Sequence, residues 1–147
     1  MDDMRRNVQK AALYFGIVNL IIGLAAFVGP LVTGNDDGII NTSPGLLFGI
    51  FAFNWFHALA HLLFGVAGIA VARSCEASRT YMWVSAAVFG VLTVAGFIGV
   101  GMEMEPQLLM GMAVNGADNL LHLAWTGLTL YFAYQASRQD VPEASCA

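Results

Sequence analysis

The sequence is poor in charge. Only 11% of its 147 residues are Asp, Glu, Lys or Arg, whereas 58% are apolar and the mean hydropathy is +0.68. Soluble globular domains carry about 25% charged residues. The composition therefore argues against a soluble protein and predicts an integral membrane protein whose surroundings are the lipid bilayer, and the length predicts a single domain, residues 1–147.

Cysteine and catalytic motifs are also scarce. Cys75 and Cys146 are the only two cysteines, and they lack the spacing of metal ligands, so we expect reduced thiols and no disulfide. The chain has no nucleophile paired with a base, no phosphate-binding loop and no nucleotide fingerprint. No catalytic residue can be assigned, an enzyme is not indicated, and nucleic acid is not an expected partner.

Long apolar runs are what the sequence has in abundance. Four of them have about the 20 residues that cross a hydrocarbon core: 11–29, 55–72, 80–101 and 116–134. They predict an all-α fold, a four-helix transmembrane bundle with both termini on one side. The first run could be read as a signal peptide, but it is longer than a typical signal core and lacks a clear small-residue cleavage site, so we interpret it as a helix.

The distribution of charge predicts the orientation. The six basic residues fall at the N terminus, between helices two and three, or at the C terminus: Arg5, Arg6, Lys10, Arg73, Arg79 and Arg138. Because loops rich in Lys and Arg stay cytoplasmic, we expect both termini to be cytoplasmic. The opposite loops carry only acidic charges, and we expect an acidic outer face: Asp36, Asp37, Glu103 and Glu105.

The second and fourth apolar runs repeat each other when Asn54 is aligned with Asn115. Five further identities support this alignment: Leu47 with Leu108, Ala52 with Ala113, Leu59 with Leu120, His61 with His122, and Leu62 with Leu123. A weaker match relates the first run to the third, with Tyr14 on Tyr81 and Gly23 on Gly90. We predict a duplicated two-helix hairpin whose copies are related by a pseudo-twofold axis along the membrane normal.

Asn54 and Asn115 predict where helices two and four begin, because Asn is a favoured N-cap residue. Three residues further on, His57 and Asp118 occupy the position at which a capping box has an acid. The segments before the caps, "LLFGIFAF" and "QLLMGMAV", are too short to cross a membrane. We expect them to lie in the outer interface or against the bundle; the alternative is a longer helix that continues through the Asn.

The candidate site is a polar stripe on helices two and four. Counted from each Asn, the polar residues fall at i, i+3 and i+7, and helix four has one more at i+4. Residues at this spacing lie on one face of a helix. Ionisable groups at membrane depth are costly and indicate a functional site. The predicted ligands are His57, His61, Asp118 and His122, and the residues expected around them are Asn54, Asn115 and Asn119.

The stripe has several interpretations. Three imidazoles and a carboxylate suit a divalent transition metal. A haem or other tetrapyrrole held by His61 and His122 is a second form of the same idea. Alternatively, the polar side chains only join helices, with His57 paired to Asp118, and the protein is a structural or accessory subunit of a homo-oligomer or larger membrane complex. Proton movement and lipid or quinone binding also stay open.

Glycines are interpreted by their position on the helices. Five are expected where helices approach closely: Gly16, Gly23, Gly90, Gly96 and Gly99. Two others, Gly65 and Gly127, follow His61 and His122 by about one turn and are expected to leave room for a flat ring.

The segments "NWFHALAHLLFGVAG" and "NGADNLLHLAWTG" resemble the signature segments of a family of small bacterial four-helix membrane proteins of unknown function. The family pattern has Asn, then His or Asp, then His-Leu, and it falls on Asn54, His57, His61 and Leu62, and on Asn115, Asp118, His122 and Leu123. The resemblance covers nearly the whole chain and implies four crossings of a bacterial inner membrane. It implies no activity. Where the family often has a proline before the cap, this chain has Ala52 and Phe53.

Overall fold

The computed structural model describes residues 2–27, 31–34 and 44–138, with residues 2–6 as backbone only. This part of the chain contains four helices: α1 Asp2–Ala25, α2 Trp55–Val71, α3 Cys75–Gly99 and α4 Gly116–Ser137. The four predicted helices are thus confirmed, although α1 and α3 begin earlier because polar residues continue the helix before each apolar run. Of the residues named above, Asp36, Asp37 and Cys146 lie outside the described residues.

The helix starts follow local capping chemistry. Asn54 and Asn115 are the N-caps of α2 and α4, as predicted, and Asn115 forms a complete capping box with Asp118. Ser74 caps α3 by accepting a hydrogen bond from the backbone N–H of Ala77 at 3.3 Å. These side-chain oxygens satisfy N–H groups that have no partner within the helix.

The helices pack as two antiparallel pairs. In the first pair, Gly16 of α1 lies against the backbone of Gly65 and Ile69 in α2, and Gly23 lies against Leu62. In the second pair, the indole N–H of Trp83 at the start of α3 donates to Ser137 Oγ at the end of α4, at 3.0 Å.

An aromatic contact joins the two pairs. The ring of Phe15 in α1 packs edge to face against Tyr81 and Phe89 of α3, with ring centroids 6.1 and 5.6 Å apart. Such edge-to-face pairs add to the free energy of apolar burial. The first helix of each pair therefore contributes to a shared core.

Glycine packing matches part of the prediction. Gly16, Gly23 and Gly96 have no room for a side chain, whereas a methyl group at Gly90 would make ordinary contact at 3.5 Å. The expectation for Gly65 is wrong: a Cβ there would lie 2.6 Å from the backbone N of Leu20, so α1 fills the space beside it.

The segments before α2 and α4 are β-hairpins, so the prediction of a purely helical fold is wrong there. The described residues form five short strands: β1 Val32–Thr33, β2 Gly45–Leu47, β3 Phe51–Phe53, β4 Gln107–Leu109 and β5 Met112–Val114. They form an antiparallel sheet of order β1-β2-β3 and a separate antiparallel β4-β5 pair. The longer helix through the Asn, considered above as an alternative, is excluded.

Both hairpins turn through the same pair of left-handed residues. Phe48 and Gly49 have φ values of 55° and 72°, and Met110 and Gly111 have 51° and 86°. Two successive residues with positive φ are typical of type I′ turns, whose twist matches that of antiparallel strands. The first hairpin contains one extra residue, Ile50, before its second strand. The alignment of Asn54 with Asn115 therefore holds from β3 and β5 into α2 and α4, and shifts by one position for β2 and β4.

Two helices are long and apolar enough to span a membrane. Within the described part of the chain they are Asn7–Ala25, with a mean hydropathy of 1.6, and Cys75–Gly99, with 1.9. Trp55–Val71 is apolar but shorter. At about 1.5 Å per residue, its 17 residues reach about 26 Å.

Several polar side chains are buried, and many large apolar side chains are exposed. Asn19, Asn115 and Asn119 have no exposed surface, whereas Ile98 and Leu63 are 81% and 63% exposed. Monomeric soluble proteins rarely expose contiguous apolar surfaces. The helices thus present apolar side chains outward and keep polar side chains between them.

Candidate functional site

The candidate site lies where the hairpins meet the starts of α2 and α4. We call it the polar cluster, and its members are Asn54, His57, His61, Asn115, Asp118, Asn119 and His122. All of these side chains are buried. Since β3 and β5 lie beside each other, each helix start faces the hairpin of the other half.

Asn54 uses both ends of its side-chain amide. Its Oδ1 accepts a hydrogen bond from the backbone N–H of His57 at 3.0 Å and so caps α2. Its Nδ2 donates to the carbonyl of Gly111, in the second hairpin, at 2.8 Å. One side chain thus starts a helix in the first half and holds the turn of the second half.

Asn115 makes the same arrangement in reverse. Its Oδ1 accepts from the N–H of Asp118 at 3.1 Å, and its Nδ2 donates to the carbonyl of Ile50 at 2.8 Å. The Nδ2 also donates to the carbonyl of Met104 at 3.0 Å. The alignment that pairs the two caps also pairs Ile50 with Gly111, so the two cross-links are equivalent.

A second pair of links joins the strands to the opposite helices. The Nδ1 of His57 lies 2.8 Å from the carbonyl oxygen of Ala113 and 3.1 Å from that of Ala52. The Oδ2 of Asp118 accepts from the backbone N–H of Ala52 at 3.0 Å and from that of Asn115 at 2.9 Å. His57 and Asp118 are equivalent in the repeat, as are Ala52 and Ala113.

The predicted pairing of His57 with Asp118 is not formed among the described residues. Each side chain is hydrogen-bonded to the backbone instead. The backbone group that each position faces determines whether a donor or an acceptor is needed there. A carbonyl needs a donor, which His57 supplies to Ala113. An N–H needs an acceptor, which Asp118 supplies to Ala52.

The three histidines lie together between α2 and α4. The rings of His57 and His61 are stacked with centroids 5.0 Å apart, and the ring of His122 is 5.9 Å from that of His57. Phe53 stacks on His57 at 4.3 Å, and Phe89 packs against His122 at 5.6 Å. The structure therefore brings together three of the four predicted ligands, among aromatic rings.

Hydrogen bonding determines which nitrogen of two of these rings carries a proton. The Nδ1 of His61 lies 2.9 Å from Asn19 Oδ1, and Asn19 Nδ2 donates to the carbonyl of Phe15 at 2.8 Å. Because Asn19 Oδ1 is an acceptor, His61 Nδ1 must be protonated. His57 Nδ1 faces two carbonyls, so it is protonated as well.

The predicted metal site is not present in the described part of the chain, where no group of three or more His, Cys, Asp or Glu side chains is arranged to hold a metal ion. The carboxylate of Asp118 bonds backbone N–H groups, and the Nδ1 atoms of His57 and His61 donate to protein oxygens. The space for a flat ring that the haem interpretation requires beside Gly65 is occupied by the backbone of Leu20.

The equivalent histidines His61 and His122 differ in their partners. No described residue bonds the Nδ1 of His122, which is buried. The alignment of Tyr14 with Tyr81 places Ala86 where the first half has Asn19. The second half therefore lacks the amide that His61 uses, and among the described residues the ring of His122 packs against His57 and Phe89.

Asn119 does not join the histidines, contrary to its expected place around the ligands. Its Nδ2 donates to the carbonyl of Gly101 at 2.7 Å, just beyond the end of α3. Its Oδ1 has no hydrogen-bond partner among the described residues and lies directly over Gly96. Asn119 therefore holds α4 close to α3.

Three residues that take part in the site were not predicted from the sequence. Asn19, which is not among the predicted site residues, is the hydrogen-bond partner of His61. The sequence did contain a signal of this role, because Asn19 is an amide side chain within the apolar run of α1. The strand positions Ala52 and Ala113 contribute only backbone atoms, and their alanine side chains give no indication of that role.

The fold and site together define a class: a mostly helical protein with a buried polar cluster and two helices suited to spanning a membrane. The family of the domain of unknown function DUF4383 matches residues 9–135. The chain belongs to that family, which confirms the membership expected from its two signature segments. No curated protein and no solved structure matches the chain.

Proposed function

We propose that this chain is an integral membrane protein whose polar cluster locks two helix pairs together, and that it serves as a structural or accessory component of a membrane assembly. The observation that carries the proposal is the set of reciprocal bonds from Asn54, Asn115, His57 and Asp118 to the hairpin of the opposite half. Groups bonded in this way stabilise the fold rather than face a ligand.

The burial of polar side chains and the exposure of large apolar ones support the membrane location. Burying polar groups such as Asn19 and Asp118 costs free energy unless they are hydrogen-bonded, and in this structure both are. Exposing Ile98 and Leu63 is favourable only where the surroundings are apolar. In hydrocarbon, backbone groups must also be paired internally, as they are along the helices.

The repeat supports a duplicated two-helix hairpin, in which the four helices cross the membrane and the halves are related by a pseudo-twofold axis. The charges support an orientation with both termini in the cytoplasm of a bacterial cell, across its inner membrane. Lys10, Arg73 and Arg138 lie toward one end of the bundle, and Glu103 and Glu105 toward the other. The assembly is a homo-oligomer or a larger membrane complex.

Membrane location and orientation are tested by labelling. We introduce Glu105→Cys or Arg73→Cys into a chain whose own Cys75 and Cys146 are replaced by Ser. We expect the protein to resist alkaline carbonate extraction. A membrane-impermeant maleimide should label the cysteine at 105 in intact spheroplasts, and the cysteine at 73 only after permeabilisation. Recovery in the soluble fraction would disprove the membrane location; reversed labelling would disprove only the orientation.

The alternative, ligand binding by the histidines, is tested by removing two imidazoles. In the double variant His61→Asn/His122→Asn, the amide at position 61 can still bond Asn19. We expect the variant to fold, and to copurify in mild detergent with the same assembly as the wild type. Elemental analysis by mass spectrometry without chelator should find no stoichiometric metal in either.

The opposite result would identify a ligand-binding protein. A metal ion near one atom per chain in the wild type, lost from a still-folded double variant, would contradict the locking role. Loss of the assembly with retention of the fold would instead assign the histidines to the partner interface. Helix content by circular dichroism distinguishes both outcomes from simple unfolding.

A further inference from the structure

A groove runs between α1 and α4 at the end of the bundle where α1 begins. Its volume is about 360 Å³, within the range of roughly 300–1,000 Å³ that is usual for small-molecule sites. Its walls are apolar and come from three helices: Ala11, Phe15, Val18, Met82, Leu128 and Phe132. No member of the polar cluster lines it, so it is separate from the site described above. We call it the α1–α4 groove.

Polar groups lie at one end of the α1–α4 groove. Asn7 and Lys10, both exposed, form its rim near the start of α1. A recess of about 50 Å³ adjoins Asn7 and adds Gln135 and Tyr131 from α4. The α1–α4 groove is apolar and has a cation and amide groups at one end. It is therefore complementary to an amphiphile with an anionic head and an apolar tail.

The length of the groove indicates what kind of tail fits. Asn7 and Val18 lie at its two ends along α1, which at about 1.5 Å per residue makes the groove about 16 Å long. One leaflet contributes about half of the roughly 30 Å hydrocarbon core. The groove is therefore about as long as the acyl layer of a single leaflet, and Lys10 lies near the end of the groove where α1 begins.

The other half of the protein has a counterpart with the opposite charge. A groove of about 450 Å³ lies beside the start of α3. The alignment that places Tyr81 at the position of Tyr14 also places Ala77 at the position of Lys10. Glu76 lies on the rim of this second groove. The cationic rim is therefore specific to the first half.

We propose that the α1–α4 groove binds an acyl chain of an anionic phospholipid whose phosphate headgroup lies beside Lys10. The inference rests on the membrane location proposed above. Charge complementarity selects the lipid class, since a basic residue near the surface attracts anionic headgroups. The counterpart groove, with Glu76 on its rim, does not attract them.

Trp125 lines the α1–α4 groove and reports its occupancy. In a chain with Trp55→Phe and Trp83→Phe it is the only tryptophan. We reconstitute this chain in phosphatidylcholine vesicles containing increasing fractions of chain-brominated phosphatidylglycerol or chain-brominated phosphatidylcholine. Bromine quenches indole fluorescence on contact. We expect the anionic lipid to associate roughly fivefold more tightly than the zwitterionic lipid, the preference that one basic residue near the surface provides.

Variants identify the source of that preference. Lys10→Gln should reduce the ratio to about one, and Lys10→Arg should retain it. Arg73→Gln removes a positive charge that is outside the groove and should leave the ratio unchanged. Equal quenching by both lipids, or a preference that survives Lys10→Gln, would overturn the proposal while the membrane location stands. Absence of quenching by either lipid would overturn it as well and assign the groove to another occupant. Failure to enter vesicles would overturn both proposals.

Discussion

Asn115→Ala is expected to lower the free energy of unfolding by about 3 kcal/mol. Losing an Asn N-cap costs about 1 kcal/mol, and the part-buried carbonyls of Ile50 and Met104 each lose a hydrogen bond, at about 1 kcal/mol for each bond. The measurement is an SDS titration in mixed detergent micelles, followed by far-ultraviolet circular dichroism.

Two further substitutions separate the cap from the cross-link. Asn115→Ser keeps a capping oxygen and removes the Nδ2 donor, so it should lose the contribution of the cross-link to stability and keep most of that of the cap. Asn7→Ala, at an exposed position of α1, should change stability by no more than about 0.5 kcal/mol. If Asn115→Ala lost no more than Asn7→Ala, the cross-links between the halves would contribute nothing measurable.

Gly65→Ala is expected to destabilise the protein by about 2 to 3 kcal/mol. The added methyl group would lie 2.6 Å from the backbone N of Leu20 and 2.7 Å from its Cα. Backbone atoms cannot rotate away, so α1 and α2 must separate, and overpacking of this kind costs about 1–3 kcal/mol. The same titration in micelles measures the loss.

Gly127→Ala is the matched control. A Cβ at Gly127 has nothing within 4 Å, and Ala is favoured over Gly inside a helix by roughly 0.5–1 kcal/mol. We expect this variant to be as stable as the wild type or slightly more so. Equal losses for both variants would mean that glycine at position 65 matters for helix backbone conformation and not for the approach of α1.

The helices could be predicted from the sequence because their signals are local. The signals are apolar runs of sufficient length and an Asn before each of α2 and α4. Both can be recognised from residues that are neighbours in the sequence. The gathering of His57, His61 and His122 also followed from helical spacing combined with the repeat.

The hairpins and the cross-links could not be predicted from the sequence, for physical reasons. Phe48 and Met110 occupy left-handed turn positions where Asn, Asp or Gly is the usual signal, so the turns were not recognisable. The partner of Asp118 is the backbone N–H of Ala52, which is distant in the sequence. Every residue type except proline has a backbone N–H, so the sequence does not show which one is the partner. Spacing could show that Asp118 and the histidines share a face, but not where the carboxylate points.

The unequal pair His57 and Asp118 has a consequence for any rearrangement of the chain. Two identical polypeptides in this arrangement would place the same residue at both positions, either two imidazole donors or two carboxylate acceptors. A single polypeptide allows the positions to diverge into one of each. The halves are therefore no longer interchangeable: a tandem of two first halves would leave the N–H of Ala52 without the acceptor that Asp118 provides.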